Sequence, residues 1–440
     1  MRTLLVPLAI VILANAFPCP LGVAGEPAWP GFLGPRSSSL SDRDLPLAWS
    51  ATDHVAWKAT IVGYGQSSPV VWNGQVFVTS ISGPMKQHCH ITAFDLAGGK
   101  KLWHREFPAA FQTANNNYTS KAAPTPVVDA NGLVVWFESG NLIGLGHDGR
   151  LRWQRDLIQE YGRIDTRHGL GSSLVQMENL AVVWVERQTD PYILAVDKST
   201  GKTAWKVPGL QVTTWSTPCL LEVDGKQHLV FSGGGKLVGL DPDTGDRLWA
   251  FEDLAGNTIP APQPLAGGRL LIGASAGSEE GGANTAKSNG VIQVSRSENG
   301  GFQVAYRWRA KRATSSFGSP IVHRGLAYFI NKAGVLFCLD ADSGKEHYVK
   351  RLGDTAWATP LAVGDRVYLV GRGGTTIVIR PGTRFEKLAE NRINTKPAPA
   401  ASSLTPPTSS QGPLIQYAIV AVGDSILIRT GDTLYCFREP

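Results

Sequence analysis

The side chains best suited to hold a ligand recur in register along this chain. Gln66, Trp215, Phe317 and Trp357 each stand directly before two small residues and a proline, as in Gln66-Ser67-Ser68-Pro69 and Trp357-Ala358-Thr359-Pro360. Lys121, Arg163, Arg167 and His168 fall in the matching connections of two further units. Aromatic faces beside cationic groups suit an acidic or sugar-like ligand, or an extended segment of a partner protein. The same rings can instead fill an opening and cap strand ends, and the pattern alone leaves both readings open.

Other chemistry-bearing groups have plainer readings. His88 and His90 share one face of a strand, as a metal pair requires, but no third or fourth ligand is near in sequence. A solvent-facing junction between loop and strand is the reading, with no metal site. Cys89, Cys219, Cys338 and Cys436 are far apart and form no CxxC pair, so they read as buried thiols. The Glu279-Glu280 pair reads as a solvated loop tip and Asn115 to Thr119 as a polar connection. No catalytic residue is assigned.

The elements that position these residues are repeated. Asp95 to Trp103 recurs as Asp197 to Trp205 and Asp241 to Trp249 with identical spacing, and Asp340 to Tyr348 repeats it with Tyr for Trp. A shortened copy ends at Trp153 and a lengthened one at Trp308. In each, an apolar strand ends at an Asp whose carboxylate accepts turn amides. Four residues later a Gly takes up positive φ, and the next strand carries a Trp that fills the gap between neighbouring sheets. Upstream lies a hairpin such as Ser68 to Ser80, turning at Asn73-Gly74.

Units begin near Ser67, Ala123, Ser172, Ser216, Ala261, Ser319 and Ala358. Four-stranded units repeated at this spacing predict a β-propeller. Leu414 to Phe437 supplies only three strands of an eighth unit, and residues 55 to 61 match the missing one. The fold class is therefore all-β: an eight-bladed β-propeller of four-stranded antiparallel blades, closed by pairing of N- and C-terminal strands. Seven blades result if the degenerate unit at Arg380 to Ile393 is discounted.

Composition agrees, with 49 Gly, 28 Pro, 18% charged residues and 3 Met in 440 residues. A formal charge of +6 without a Lys/Arg run gives no footprint for nucleic acid. Arg2, the apolar run Leu4 to Phe17 and Val23-Ala24-Gly25 read as an export signal over residues 1–25. An N-terminal extension covers 26–54 and the propeller 55–440, with insertions at 273–290 and 394–413 expected to be mobile loops. No segment has the roughly 18 consecutive apolar residues of a membrane helix.

The repeated Asp-x-x-x-Gly-x-x-x-Trp unit resembles the pyrroloquinoline-quinone-type (PQQ-like) repeat of quinoprotein dehydrogenases and of the BamB-type scaffold of outer-membrane assembly. Trp29-Pro-Gly-Phe-Leu-Gly-Pro35, Val55-Ala-Trp57-Lys58 and Ser67-Ser-Pro-Val-Val71 are similar to exported bacterial propellers of this kind. The resemblance implies either a quinone on a calcium-held floor with an Asp base, or a scaffold without cofactor. The adjacent-cysteine pair found over the quinone in many of the dehydrogenases is missing here. The expectation is an exported, monomeric, non-catalytic scaffold, periplasmic or extracellular, binding an unidentified protein or a small-molecule or glycan ligand, with no cofactor. A PQQ-dependent oxidoreductase of alcohols or sugars and a surface-glycan-binding module are the alternatives.

Overall fold

The computed structural model describes residues 27–35, 45–116, 119–166, 168–275, 285–393 and 415–439. The leader and the 394–413 insertion lie outside the described residues, as do Arg167, Glu279 and Glu280. The described strands form eight four-stranded antiparallel sheets. Blade one comprises Val70–Trp72, Gln75–Ser82, His88–Asp95 and Lys101–Pro108. Blades two to seven span 127–156, 175–208, 219–251, 263–309, 321–351 and 361–392, each pairing its strands in chain order. The unit at Arg380 to Ile393 is a genuine blade edge, since Glu386–Arg392 pairs along Thr375–Arg380, and the count is eight.

The eighth blade is composite. Ala418–Val422, Ser425–Arg429 and Thr433–Phe437 are completed on the outside by Val55–Thr60, with Val55 opposite Phe437 and Thr60 opposite Thr433. Completing this blade from both ends of the chain closes the ring, so no end blade is left with an uncovered face as in a linear array.

Connections between blades and the turns between second and third strands lie on one face, here called upper. The first and third turns of each blade lie on the lower face, where the repeat does its structural work. The indole of Trp57 donates to Leu96 O at 2.8 Å, Trp103 to His147 O at 2.7 Å, Trp153 to Lys198 O at 2.9 Å, Trp205 to Pro242 O at 3.0 Å and Trp308 to Ala341 O at 2.9 Å. Each acceptor sits in the third turn of the next blade, so every such Trp staples its blade to its neighbour. The turn glycine is fixed by the same contact. At Gly201, φ is 72° and a Cβ would stand 2.6 Å from the Trp153 ring.

The staple fails where the receiving turn departs from the pattern. Blade five ends its third strand in the turn 297–301, and Trp249 instead donates to Nδ1 of His228 in its own blade at 2.9 Å. That bond requires a lone pair on Nδ1, so the imidazole is held neutral. Burial, with Arg296 nearby, pushes its pKa below the usual 6.5.

A second belt runs around the channel. The backbone N–H of Ser68 donates to Thr125 Oγ1 at 2.9 Å, Thr125 to Ser173 Oγ at 3.0 Å, and Ser173 to Thr217 Oγ1 at 3.1 Å. Ala261 donates to Ser319 Oγ at 2.9 Å and Ser319 to Thr359 Oγ1 at 3.0 Å. Apart from Ser173, which precedes Leu174, these are the small residues before the prolines, and their role is to join innermost strands. At Ala261 the missing hydroxyl breaks the series, and Ser216 Oγ bridges instead to Pro260 O at 3.1 Å.

The N-terminal extension packs on the propeller. Trp29 exchanges both backbone bonds with Val71 at 2.9 Å, and Pro30 O accepts Val128 N at 3.0 Å. Residues 29–35 thus line one side of a lower-face cavity of about 880 Å³, opposite inner-strand residues such as Leu220, Gln263 and His323. Farther on, Trp49 stacks on Phe437 and Tyr368 with centroids 5.1 and 6.1 Å away. The described ends of the 273–290 insertion are packed into the propeller. Thr285 and Asn289 are fully buried, and Asn289 Oδ1 accepts Ala274 N at 2.8 Å and Ser315 N at 3.2 Å.

Gly201→Ala should cost about 2–4 kcal/mol, combining the left-handed backbone with overpacking against Trp153. Gly225→Ala should cost only about 1–2 kcal/mol, because φ is 76° there but nothing lies within 4 Å of the new methyl. Urea unfolding of both variants measures the difference. For His228, the unfolded chain gains a proton near pH 6.5 that the folded chain takes up only at lower pH. Stability present above pH 6.5 is therefore lost on acidification below it. His228→Asn keeps an acceptor for Trp249 without the titration, and should flatten the fall in Tm between pH 7 and 5.

Candidate functional site

The upper face gathers most of the predicted site residues, though in two groups. Phe317 and Trp357 come together as a face-to-face pair, with centroids 4.2 Å apart and planes inclined by 3°. Trp357 meets Tyr417 edge-on at 6.0 Å, Tyr417 meets Tyr64 edge-on at 6.0 Å, and the two phenol oxygens are 2.7 Å apart. The Arg372 guanidinium lies 5.3 Å from the Trp357 ring and the Lys121 ammonium 5.9 Å from that of Tyr64. Four rings flanked by two cations thus cross the inter-blade connections from blade five to blade two.

Gln66 joins this group to the second. Its N–H donates to Lys121 O, and its side-chain Oε1 accepts Lys121 N, both at 3.0 Å. Ser120 N in turn donates to His168 O at 2.8 Å. The His168 ring tilts against Trp215 at 5.9 Å, and the Trp215 indole donates to Gly169 O at 3.0 Å. Arg163 does not join either group. It is exposed, lies over the Phe111 ring at 4.4 Å and pairs with Asp165 at 2.9 Å.

Electrostatics on this face are dominated by buried cations. Lys121 is 4% exposed, and its ammonium donates to Asn116 O at 2.7 Å. Burial, reinforced by Lys86, brings its pKa down to about 8. Lys86 is buried as well, donating to Ser120 O and lying 3.5 Å from Glu138 Oε1. Arg429, fully buried, bonds Ser67 O at 3.0 Å and Ser67 Oγ at 2.5 Å and also donates to Thr79 O. Its acceptors are all uncharged, and burial lowers its pKa to about 9. Arg429 carries the eighth blade onto the first, at the seam where the hydroxyl belt has no repeat residue to offer.

Two carboxylates on this face are raised in pKa by burial, but both serve the loops. Glu186 accepts Trp184 Nε1 at 2.6 Å, Leu210 N at 2.7 Å and Val212 N at 3.1 Å, anchoring the connection that leads to Trp215. Asp354 accepts Thr355 N and Gly373 N, both at 2.8 Å, and so ties the loops of Trp357 and Arg372 together.

Tyr64, Tyr417, Arg372 and Arg429 escaped the sequence reading. Tyr64 precedes Gln66 by two residues and was within reach of the same register argument. Tyr417 follows an insertion that interrupts the repeat, and the two arginines enter from turns or strands with no motif. The histidines need a correction: His90 is 2% exposed and does not face solvent.

Blade number, lower-face staples and the Asp-to-Trp unit together define a propeller of PQQ-like repeats. The family model described as outer membrane protein assembly factor BamB matches residues 22–171, 163–334 and 303–384, and the chain belongs to that family. No curated protein sequence matches it. Among solved structures, BamB from Moraxella catarrhalis superposes with a TM-score of 0.58 at 11% identity, covering 88% of this chain and 97% of that one. Quinohemoprotein alcohol dehydrogenase from Comamonas testosteroni gives 0.57 at 13% identity, covering 94% of this chain and 80% of that one. At these identities the likeness is one of fold.

Arg429→Met should destabilise the protein by about 1–3 kcal/mol, because three buried oxygens lose their donor. Hydrogen exchange should quicken in Thr79 and its neighbours on the first blade, while blades three to six keep their protection.

Proposed function

We propose that this chain is an exported, non-catalytic propeller whose upper face binds a segment of a partner protein. The observation that carries the reading is the row of rings from Phe317 through Trp357 and Tyr417 to Tyr64, in which Phe317, Trp357 and Tyr64 are partly exposed, with Arg372 beside Trp357 and the buried Tyr417 and Lys121 supporting them. Large, rigid rings beside cations are the side chains that dominate protein recognition surfaces. Family membership supports the same reading, since an assembly factor works through contacts with other proteins. Export rests on the character of residues 1–25.

The alternative oxidoreductase needs a carboxylate free to act as base and a planar slot for a quinone. Asp354 and Glu186 have their oxygens engaged by backbone and indole N–H groups. Phe317 and Trp357 already stack on each other, so a ring could enter only by parting them. These residues do not fit a calcium-held quinone.

A photo-crosslinking residue at position 357 should give a discrete adduct in the cells that make the protein, and the same residue at position 225, in a lower-face turn, should not. Equal labelling at both positions counts against an upper-face partner site. Saturable one-to-one binding of pyrroloquinoline quinone with calcium, followed by calorimetry, would replace the scaffold reading with the oxidoreductase.

A further inference from the structure

The outer half of blade one holds a histidine cluster that neither the ring closure nor the upper face uses. His88, His90 and Thr92 alternate along the third strand, and pairing sets His90 opposite Glu106 and Thr92 opposite His104 on the outer strand. His90, His104 and Glu106 therefore share one face. Nδ1 of His90 and Nε2 of His104 are 3.2 Å apart, with the two rings inclined by only 27°. Two ligand atoms each 2.0–2.1 Å from one tetrahedral ion stand about 3.3 Å from each other. The two nitrogens are hydrogen-bonded to each other, at nearly the separation that a shared ion would impose in place of the proton.

The surroundings favour the same use. Nε2 of His90 is 2.8 Å from Ser82 Oγ. That contact fixes the ring and leaves Nδ1 turned to His104, as outer partners of metal-bound imidazoles do. Glu106 Oε2 stands 3.8 Å from His90 Nδ1, and its other oxygen is 2.7 Å from His88 Nδ1. Among the described residues no three such side chains yet surround one point. Glu106 makes its contacts with His88 and His90, and its half-exposed side chain would have to turn to bring an oxygen within ligand distance of an ion shared by the two imidazoles. Lys101 and Arg105 oppose a cation near His104, which Glu106 offsets.

We propose that His90, His104 and Glu106 bind one divalent transition-metal ion of the zinc or copper class, with His88 orienting the carboxylate from behind. Two imidazoles and one carboxylate select such borderline cations over magnesium or calcium. The ion ties the third strand of blade one to its outer strand.

Calorimetric titration of the tag-free full chain with zinc chloride tests this, with circular dichroism confirming the fold of each variant. The expected result is one zinc per chain, with affinity about tenfold or more weaker in His104→Gln and weaker again than wild type in the surface variant Glu106→Gln. Magnesium chloride should give no saturable heat. Absence of saturable zinc binding up to about 1 mM, an affinity weaker than about −4 kcal/mol, overturns the proposal. Unchanged affinity in both variants overturns it equally.

Discussion

Everything on the upper face depends on the ring staying shut near the channel. Neighbouring blades meet through close-packed apolar faces, and directional bonds add to that packing at defined points. The hydroxyl belt supplies them at the inner strands, with each N–H bound to the next blade's Ser or Thr. The indole staples supply them farther out, on the lower face. At the composite blade the belt lacks its usual donor, and a buried guanidinium takes over. Removing such a cation from water is costly, which shows how much the seam needs three bonds from a single side chain.

This arrangement gives the two faces different structural duties. The lower face is tied down by turns that leave little freedom, and its cavity is walled on one side by residues 29–35. The upper connections vary in length and composition because the belt beneath them has already fixed where they start. Buried carboxylates follow the same division, with Glu186 and Asp354 spending their acceptors on loop amides. Partly exposed beside them stand the Phe317 and Trp357 rings and the Arg372 side chain.

Local spacing made the fold legible, while cross-blade contacts stayed hidden. Asp197, Gly201 and Trp205 announce a turn and a strand within nine positions, and the structure uses them as their chemistry demands. The serines and threonines before each proline were legible only as small residues, because their acceptor role exists between blades. Trp215 and Trp357 were found by register, yet the rings that complete their surroundings come from elsewhere in the chain. Tyr417 belongs to the blade that Val55–Thr60 completes, so its closeness to Tyr64 follows from ring closure alone. His90 was read as facing solvent at a junction between loop and strand, and only strand pairing brings His104 against it.

The composite blade also governs the order in which the molecule can be built. Val55–Thr60 is made early yet has no partner until Thr433–Phe437 exists, so one edge of the growing array stays open through the synthesis of seven blades. Contacts this distant in sequence slow folding and expose unpaired edges meanwhile. The position of the seam is a property of where the polypeptide was cut, and the finished ring does not require it. A circular permutant opened in a lower-face hairpin would move the wait to another blade, turning the kinetics of closure into something that gene architecture sets independently of the final structure.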